Sequence, residues 1–335
     1  MSTYFSHFSE KIKQISPLDN SFTEVLGSIA LVPKILYFYG SLPGTNNAPK
    51  TGSNLNGYND TSRPKAVAIV GSRKNTRYGE EVAYRLAYEL AKKGVIIVSG
   101  LAHGIDSIAH RAALDAGGLT IAVLGTPIDK IYPKEHADLA NEIVLHKGAV
   151  VSEYAPRTPE FLDAPLATDE AVKDGRRCLN FKTTFLYRNR LIAGLSDLVV
   201  VVEAAEHSGT LNTAAHALNQ GKDVFAVPGN ITNINSKGCN RLIAQGATPY
   251  TELNDVLRVL FPADFIKTRR KTLALPFGDT EDETLVLQSI ASGENDGENI
   301  IKKLNFNAEK FNQIITLLEI KARVRPLGFN RWMLT

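Results

Sequence analysis

Small and hydroxylated residues occur in short clusters, and each cluster stands directly after an apolar run. Gly71-Ser72-Arg73 follows one such run, and Ser99-Gly100-Leu-Ala-His-Gly104 closes the next. Gly125-Thr-Pro-Ile-Asp129 comes after a third, with Tyr132-Pro-Lys134 close behind. Glu203-Ala-Ala-Glu-His-Ser208-Gly209-Thr210 and Pro228-Gly-Asn230 follow the last two. Glycine lets a backbone approach a ligand closely, and the N–H groups at a helix start attract an anion. Ser208-Gly209-Thr210, just before a helical stretch, reads as an anion cradle or as ordinary capping of that helix. Basic and amide side chains fall among the clusters: Arg73, Lys74, Arg77, Lys134, Arg188-Asn189-Arg190, Lys237 and Asn240. Arg and Asn converging on amide-lined loops suit a chain of phosphates. Tyr132, Phe185 and Tyr187 are candidate rings for stacking bases.

Other chemistries find less support. There is no G-x-G-x-x-G with an acid ~20 positions later and no G-x-x-x-x-G-K-[ST], so a dinucleotide or a triphosphate is not expected. Asp106 and His110 are four apart on a helical stretch and share a face, but no third metal ligand is apparent. They read as a structural or anion-site pair. His207 and Ser208 are adjacent, and neighbours in sequence seldom face each other as nucleophile and base. Cys178 and Cys239 read as free thiols. No catalytic residue, metal or cofactor is expected.

The clusters need a scaffold that brings them to one edge. Strand patterns lie at Ala66–Val70, Val95–Ser99, Thr120–Leu124, Ala149–Ser152, Leu198–Val202 and Asp223–Val227. Each is apolar with few breaks, as parallel strands covered on both faces are. Helical patterns alternate with them at Gly79–Lys93, Ile105–Ala116, Glu135–His146, Arg190–Gly194, Leu211–Gln220 and Cys239–Gln245. This order predicts an α/β fold: an extended, Rossmann-like, doubly wound and mostly parallel sheet, with ligands beyond the carboxyl ends of its strands. Residues 1–41 read as a short N-terminal extension, in which Ile29–Tyr39 is a helix end followed by a strand. Residues 42–65 read as a flexible linker, 66–261 as the Rossmann-like domain and 262–280 as a second, basic linker. Residues 281–335 carry three helical patterns and a strand-like end with a glycine turn, the order of a winged-helix-like domain. Its helix Ala308–Lys321 mixes Lys310 and Lys321 with Glu309 and Glu319, which leaves duplex reading and protein docking equally open.

Composition bounds the setting. The chain has 335 residues, 44% hydrophobic and 22% charged, with a net charge of +3. No apolar run reaches the ~18 residues a membrane span needs. The N-terminal stretch lacks the apolar core of a secretory signal, so a reducing cytoplasm is expected.

Val70-Gly-Ser-Arg73, Ser99-Gly-Leu-Ala-His-Gly-Ile-Asp106 with His110, Tyr132-Pro133 and Ser152-Glu153 occur in this order. Phe185-Leu-Tyr-Arg-Asn-Arg-Leu-Ile-Ala-Gly-Leu-Ser196, His207-Ser-Gly-Thr-Leu-Asn-Thr-Ala214, Val227-Pro-Gly229 and Ser236-Lys-Gly-Cys-Asn240 with Gly246-Ala247 follow. The set resembles the DNA-processing protein A family (DprA/Smf) over roughly residues 66–247. The resemblance implies single-stranded DNA binding with little sequence preference, a homodimer and no catalysis. It also implies protection of incoming DNA and its delivery to the RecA recombinase in natural transformation and homologous recombination. Gly71, Ser72, Arg73 and Lys134 would contact the DNA backbone, and the Ser208–Thr210 and Lys237–Asn240 loops would line the same pocket. Ser99, Gly100, Arg188, Asn189 and Arg190 are expected at that interface too.

The chain departs from the family pattern in three places. Pro127 replaces a glycine, Leu186-Tyr187 replaces a proline–basic pair, and the family's helical N-terminal domain is not evident. The first would stiffen one wall of the pocket, and the second removes a charge and adds a ring. A competing reading is a nucleotide-binding phosphoribohydrolase-like enzyme of the same superfamily, or a nucleotide sensor. The enzyme would need a glutamate after the Gly-Thr of its loop, and His207–Ala214 holds no acid after the threonine.

Overall fold

The computed structural model describes residues 12–44, 63–156, 172–173, 176–177, 181–262 and 277–334. The chain divides into two units, Met1–Leu260 and Phe261–Thr335. Cys178, most of the two expected linkers and the basic run Lys267–Lys271 lie outside the described residues.

In unit one, β1 (Lys13–Ile15) and β2 (Leu36–Gly40) precede β3 (Ala66–Val70), α1 (Arg77–Lys92), β4 (Ile96–Ser99) and α2 (Ile105–Asp115). Next come β5 (Thr120–Leu124), α3 (Ala137–Leu145), β6 (Ala149–Ser152) and a two-residue-per-strand hairpin of β7 (Val172–Lys173) and β8 (Arg176–Arg177). The unit continues with α4 (Phe181–Leu195), β9 (Leu198–Val201), α5 (Thr210–Asn219), β10 (Asp223–Ala226), α6 (Lys237–Ala244), β11 (Thr248–Pro249) and α7 (Leu253–Leu260). Nine strands form one sheet in the order β1-β2-β6-β5-β4-β3-β9-β10-β11. From β6 to β11 every pairing is parallel, whereas β2 runs antiparallel to both β6 and β1. The fold is the doubly wound, mostly parallel α/β sheet that the apolar runs predict.

Parallel strands must be covered on both faces, and side chains alternate between two cores accordingly. Ala66, Ala68, Val70, Val199 and Val201 face Leu191, Ile192 and Leu195 of α4 and the small residues Ala214 and Ala217 of α5. On the other face Ala122, Leu124 and Val150 meet Leu139, Ala140 and Ile143 of α3. Each buried branched side chain contributes about 1.5–3 kcal/mol.

Two expectations are corrected. The stretch expected as an N-terminal extension supplies two strands of the sheet: Tyr37 and Tyr39 point into one core, Leu36 and Phe38 into the other. Its helical turn lies earlier than Ile29, in a 3₁₀ segment at Glu24–Ser28. The helix expected at Arg190–Gly194 begins at Phe181. Arg188, Asn189 and Arg190 interrupt its apolar periodicity, yet all three are buried, because their polar groups find partners inside the fold.

Unit two consists of α8 (Glu281–Ala291), α9 (Gly297–Leu304), α10 (Ala308–Ile320) and an antiparallel hairpin of β12 (Val324–Gly328) and β13 (Arg331–Leu334). Its core gathers Val286, Leu287, Ile290, Phe311, Ile315 and Leu318, and Trp332 meets Phe311 edge-on at 5.7 Å. Both lysines of α10 and its end are neutralised within the unit. Lys310 pairs with Asp282 at 2.9 Å, and Lys321 pairs with Asp279 at 2.8 Å and Glu283 at 2.7 Å. Among the described residues, no helix is long and apolar enough to cross a membrane.

Asp106 and His110 do share a face of α2 but bond separately. His110 Nδ1 donates to the Thr120 hydroxyl at 2.7 Å, because that hydroxyl donates its own hydrogen to Ile97 O at 2.8 Å. Complete burial, with His136 and Arg188 adding repulsion, pushes the imidazole down to about 3. The unfolded ring titrates near its ordinary value, so the stability from keeping His110 neutral is complete above about pH 6.5 and is lost as pH falls toward 3. Replacing His110 by Gln should remove about 1.2 kcal/mol of the stability lost between about pH 7 and 5.5, read from urea unfolding of both proteins. An unchanged pH dependence would refute the assignment.

Candidate nucleic-acid interface

The winding reverses at β3: the chain steps to β4, β5 and β6 on one side and to β9 and β10 on the other. Ligands of open α/β sheets bind at the strand carboxyl ends of such a switch point. A cleft of about 550 Å³ opens there, between the loop after β3, the start of α2, the β9–α5 loop and the first turns of α4. Gly71, Ser72, Arg73, Arg188, Asn189, Ser208, Gly209 and Thr210 are thereby brought together. A smaller hollow continues from it past Arg73 and Phe185 to Gly100, His103 and Tyr132.

The loops that make the rim are tied to one another. Thr210 Oγ1 donates to Gly71 O at 3.0 Å, joining the start of α5 to the end of β3. Ile105 N–H donates to Ser72 O at 3.2 Å, joining α2 to the same loop. Gly104 must be glycine, since its φ is +75° and an added Cβ would strike Ser72 O. Thr76 caps α1, accepting from Gly79 N–H at 3.2 Å, and Thr76 N–H and Oγ1 donate to Glu203 at 2.9 and 2.5 Å. Asn235 Nδ2 donates to Lys74 O at 2.7 Å. Arg73 and Lys74 are thus exposed side chains on a fixed backbone. The N–H groups of Ser72, Arg73 and Gly209 have no acceptor among the described residues.

Beneath the rim, Arg188 is 4% exposed. Its Nη1 donates to Gly100 O at 2.9 Å and also to Val123 O, so one guanidinium spans the ends of β4 and β5. Burial lowers it to about 10, with Asp106 opposing and Arg73 reinforcing the shift, and it remains a cation at neutral pH. Burial raises the Asp106 carboxyl above the ordinary range, while Arg188 and two backbone N–H groups oppose the shift. Phe185 lies 5.9 Å from the Arg73 guanidinium, 5.7 Å from that of Arg188 and 5.3 Å from the Tyr132 ring.

Several expected contacts serve the scaffold instead. Ser99 is buried and donates to Ile69 O at 2.7 Å. Asn189 spends its amide on Gly209 O and Asn212 Oδ1 at 3.2 and 3.3 Å. Arg190 is 3% exposed and grips Glu153 with two bonds of 2.8 and 2.6 Å. Its guanidinium also lies 3.9 Å from the Tyr187 ring, which therefore faces Arg190 rather than the cleft. Asn240 clasps the backbone of Gly229. Lys134 and Lys237 are exposed but do not line the cleft, and neither does Pro127. Conversely Asn235 and Thr213 line it without having been expected, since neither stands in a glycine cluster at a strand end.

The model of the DNA recombination-mediator protein A family matches residues 54–163 and 176–261. The chain belongs to this family. The Smf protein of Escherichia coli is 45% identical over 194 residues, covering 58% of this chain and 46% of that protein. The chain thus spans about half the length of curated relatives such as this one. DprA of Streptococcus pneumoniae is 36% identical over 264 residues, 77% of this chain and 80% of that one. Its crystal structure superposes with a TM-score of 0.57 over 75% of each chain, at 35% identity. DprA of Helicobacter pylori, whose structure was described for its mode of single-stranded DNA binding, superposes with a TM-score of 0.54. That match has 28% identity and covers 79% of this chain and 98% of the other. Family members carry names in DNA processing, and both structures confirm the α/β fold.

The Arg190–Glu153 pair is an internal clamp, and removing one partner strands a buried charge. Arg190→Met should cost about 3–5 kcal/mol in urea unfolding, with Arg190→Met/Glu153→Leu recovering a large part of it. A neutral single variant would contradict the clamp.

Proposed function

We propose that the cleft binds single-stranded DNA through its phosphate backbone. The observation that carries this reading is the rim: Arg73 and Lys74 project from a tied loop beside three backbone N–H groups that have no acceptor among the described residues, next to the helix start at Thr210. Phosphates passing along such a rim gain charge-assisted bonds from a backbone that is already ordered. Phe185 and the 45%-exposed Tyr132 offer ring faces in the adjoining hollow, where a base unstacked from its neighbours finds contact. The single-strand binding described for the Helicobacter pylori relative supports the same ligand.

We read the chain as a non-enzymatic mediator that protects incoming strands and loads RecA in natural transformation or homologous recombination, acting as a cytoplasmic homodimer. In a phosphoribohydrolase of similar fold a glutamate would stand three positions after Thr210, and here that position is Thr213. Residues 281–335 we read as a winged-helix-like docking unit. The pairing of Lys310 and Lys321 with acids of the same unit weighs against a role in gripping duplex phosphates.

Fluorescence anisotropy with ~30-nucleotide single-stranded and duplex DNA across a salt series tests the reading. Wild type should prefer the single strand, with affinity falling linearly in log–log salt. Arg73→Ala should weaken binding several-fold and flatten the salt slope by about 0.7, the value of one phosphate contact. Binding indifferent to Arg73 would refute the site, and no binding at low salt would refute the function.

A further inference from the structure

The floor of the cleft holds an acceptor and a donor that no described residue uses. Asp106 is 6% exposed, and only its Oδ2 is engaged, by the N–H groups of Gly100 at 3.1 Å and Ala102 at 3.4 Å. Its Oδ1 takes no hydrogen bond from any described residue. Arg188 uses Nη1 on two carbonyls and Nε on Asn189, while Nη2 donates to no described residue. The two side chains line the same cleft without forming an ion pair within 4.0 Å.

These groups select against a phosphate at the floor. A phosphate seated there would meet the Asp106 carboxylate in a low-dielectric setting, where like charges repel strongly. Phosphates fit the rim, where the side chains of Arg73 and Lys74 stand exposed while Asp106 is buried beneath them. The floor suits a neutral group that offers hydrogen to Asp106 and a lone pair to Arg188. A nucleobase edge is such a group, and Phe185, which borders both hollows, gives its ring an apolar neighbour. Among the DNA bases guanine matches best. Its O6 accepts, and the adjacent N1–H and 2-amino group both donate, whereas thymine, adenine and cytosine each present a single donor group on that edge.

We propose that the cleft floor is a base-reading subsite for one guanine, with Asp106 Oδ1 accepting from N1–H and the 2-amino group and Arg188 Nη2 donating to O6. This rests on the single-strand reading above and adds to it one position at which an otherwise tolerant interface discriminates. Asp106 and Arg188 then belong to one arrangement: α2 presents the carboxylate, α4 the guanidinium, and glycine at position 100 leaves room for the guanidinium.

The test compares a ~20-nucleotide oligothymidylate with the same strand carrying isolated guanines, at equal salt, in competition anisotropy with the whole chain. Wild type should bind the guanine-bearing strand about tenfold more tightly, and inosine, which lacks the 2-amino group, should recover only part of that gain. In Asp106→Asn the ratio should fall towards one. Equal affinity of wild type for both strands overturns the subsite while leaving single-strand binding intact, and so does a preference that survives in a folded Asp106→Asn protein. Binding of neither strand overturns the underlying reading as well. Free deoxyguanosine monophosphate should displace a labelled strand at lower concentration than thymidine monophosphate, a comparison that needs no variant, and equal potency would also overturn the subsite.

Discussion

A guanidinium buried at the carboxyl ends of the central strands is the constraint on which the cleft depends. A charge in the interior is costly unless it is given hydrogen-bond acceptors, and Arg188 directs its Nη1 to the carbonyls of Gly100 and Val123. Gly100 directly follows β4 and Val123 is the next-to-last residue of β5, so satisfying the charge fixes the distance between α4 and two strand ends. One turn back along α4, Phe185 is held between Arg188, Arg73 and Tyr132. Gly100 is a consequence of the same charge: any Cβ there would lie 2.7 Å from the guanidinium nitrogens.

Two populations of polar residues result, and their chemistry is identical until their surroundings are known. Arg188, Asn189, Arg190, Asn240 and Thr210 bond loops and helices together. Arg73 and Lys74 hold their charge out to solvent. The first group keeps the backbone of the second in place before any ligand arrives, so little ordering remains to be done on binding. A modest net charge is therefore compatible with the proposed phosphate-binding rim: what matters there is two exposed cations on an ordered loop rather than the total charge.

The parallel sheet was legible from the sequence because its strands are uninterrupted apolar runs followed by glycine. The position of the cleft followed from the same pattern, since Gly71–Arg73 and Ser208–Thr210 both stand at strand ends. The roles of individual polar residues were not legible. Arg188 and Arg190 are two apart on a helix and look alike in sequence, yet one lines the cleft floor and the other closes on Glu153. Burial decides between them, and it depends on strands nearly a hundred residues away. Of the N-terminal strands, the one ending near Tyr39 was expected but not its place in the sheet, and Lys13–Ile15 was missed because it is short and half polar, as an edge strand is. Asn235 reaches the rim only because β10 and α6 fold back toward β3.

The antiparallel pairing of β2 with β6 bears on how the chain is born. Gly40 pairs with Ala149, 109 positions further along. During synthesis at about 5–20 residues per second, Tyr37, Phe38 and Tyr39 emerge on the order of ten seconds before the strand that will shelter them. Through that interval an aromatic, β-prone segment has the three-residue strand β1 along one edge, and its other edge is open to pairing with another chain. The first strands translated thus depend on one of the later ones, and a ribosome that stalls between them leaves a nascent chain with its stickiest segment uncovered.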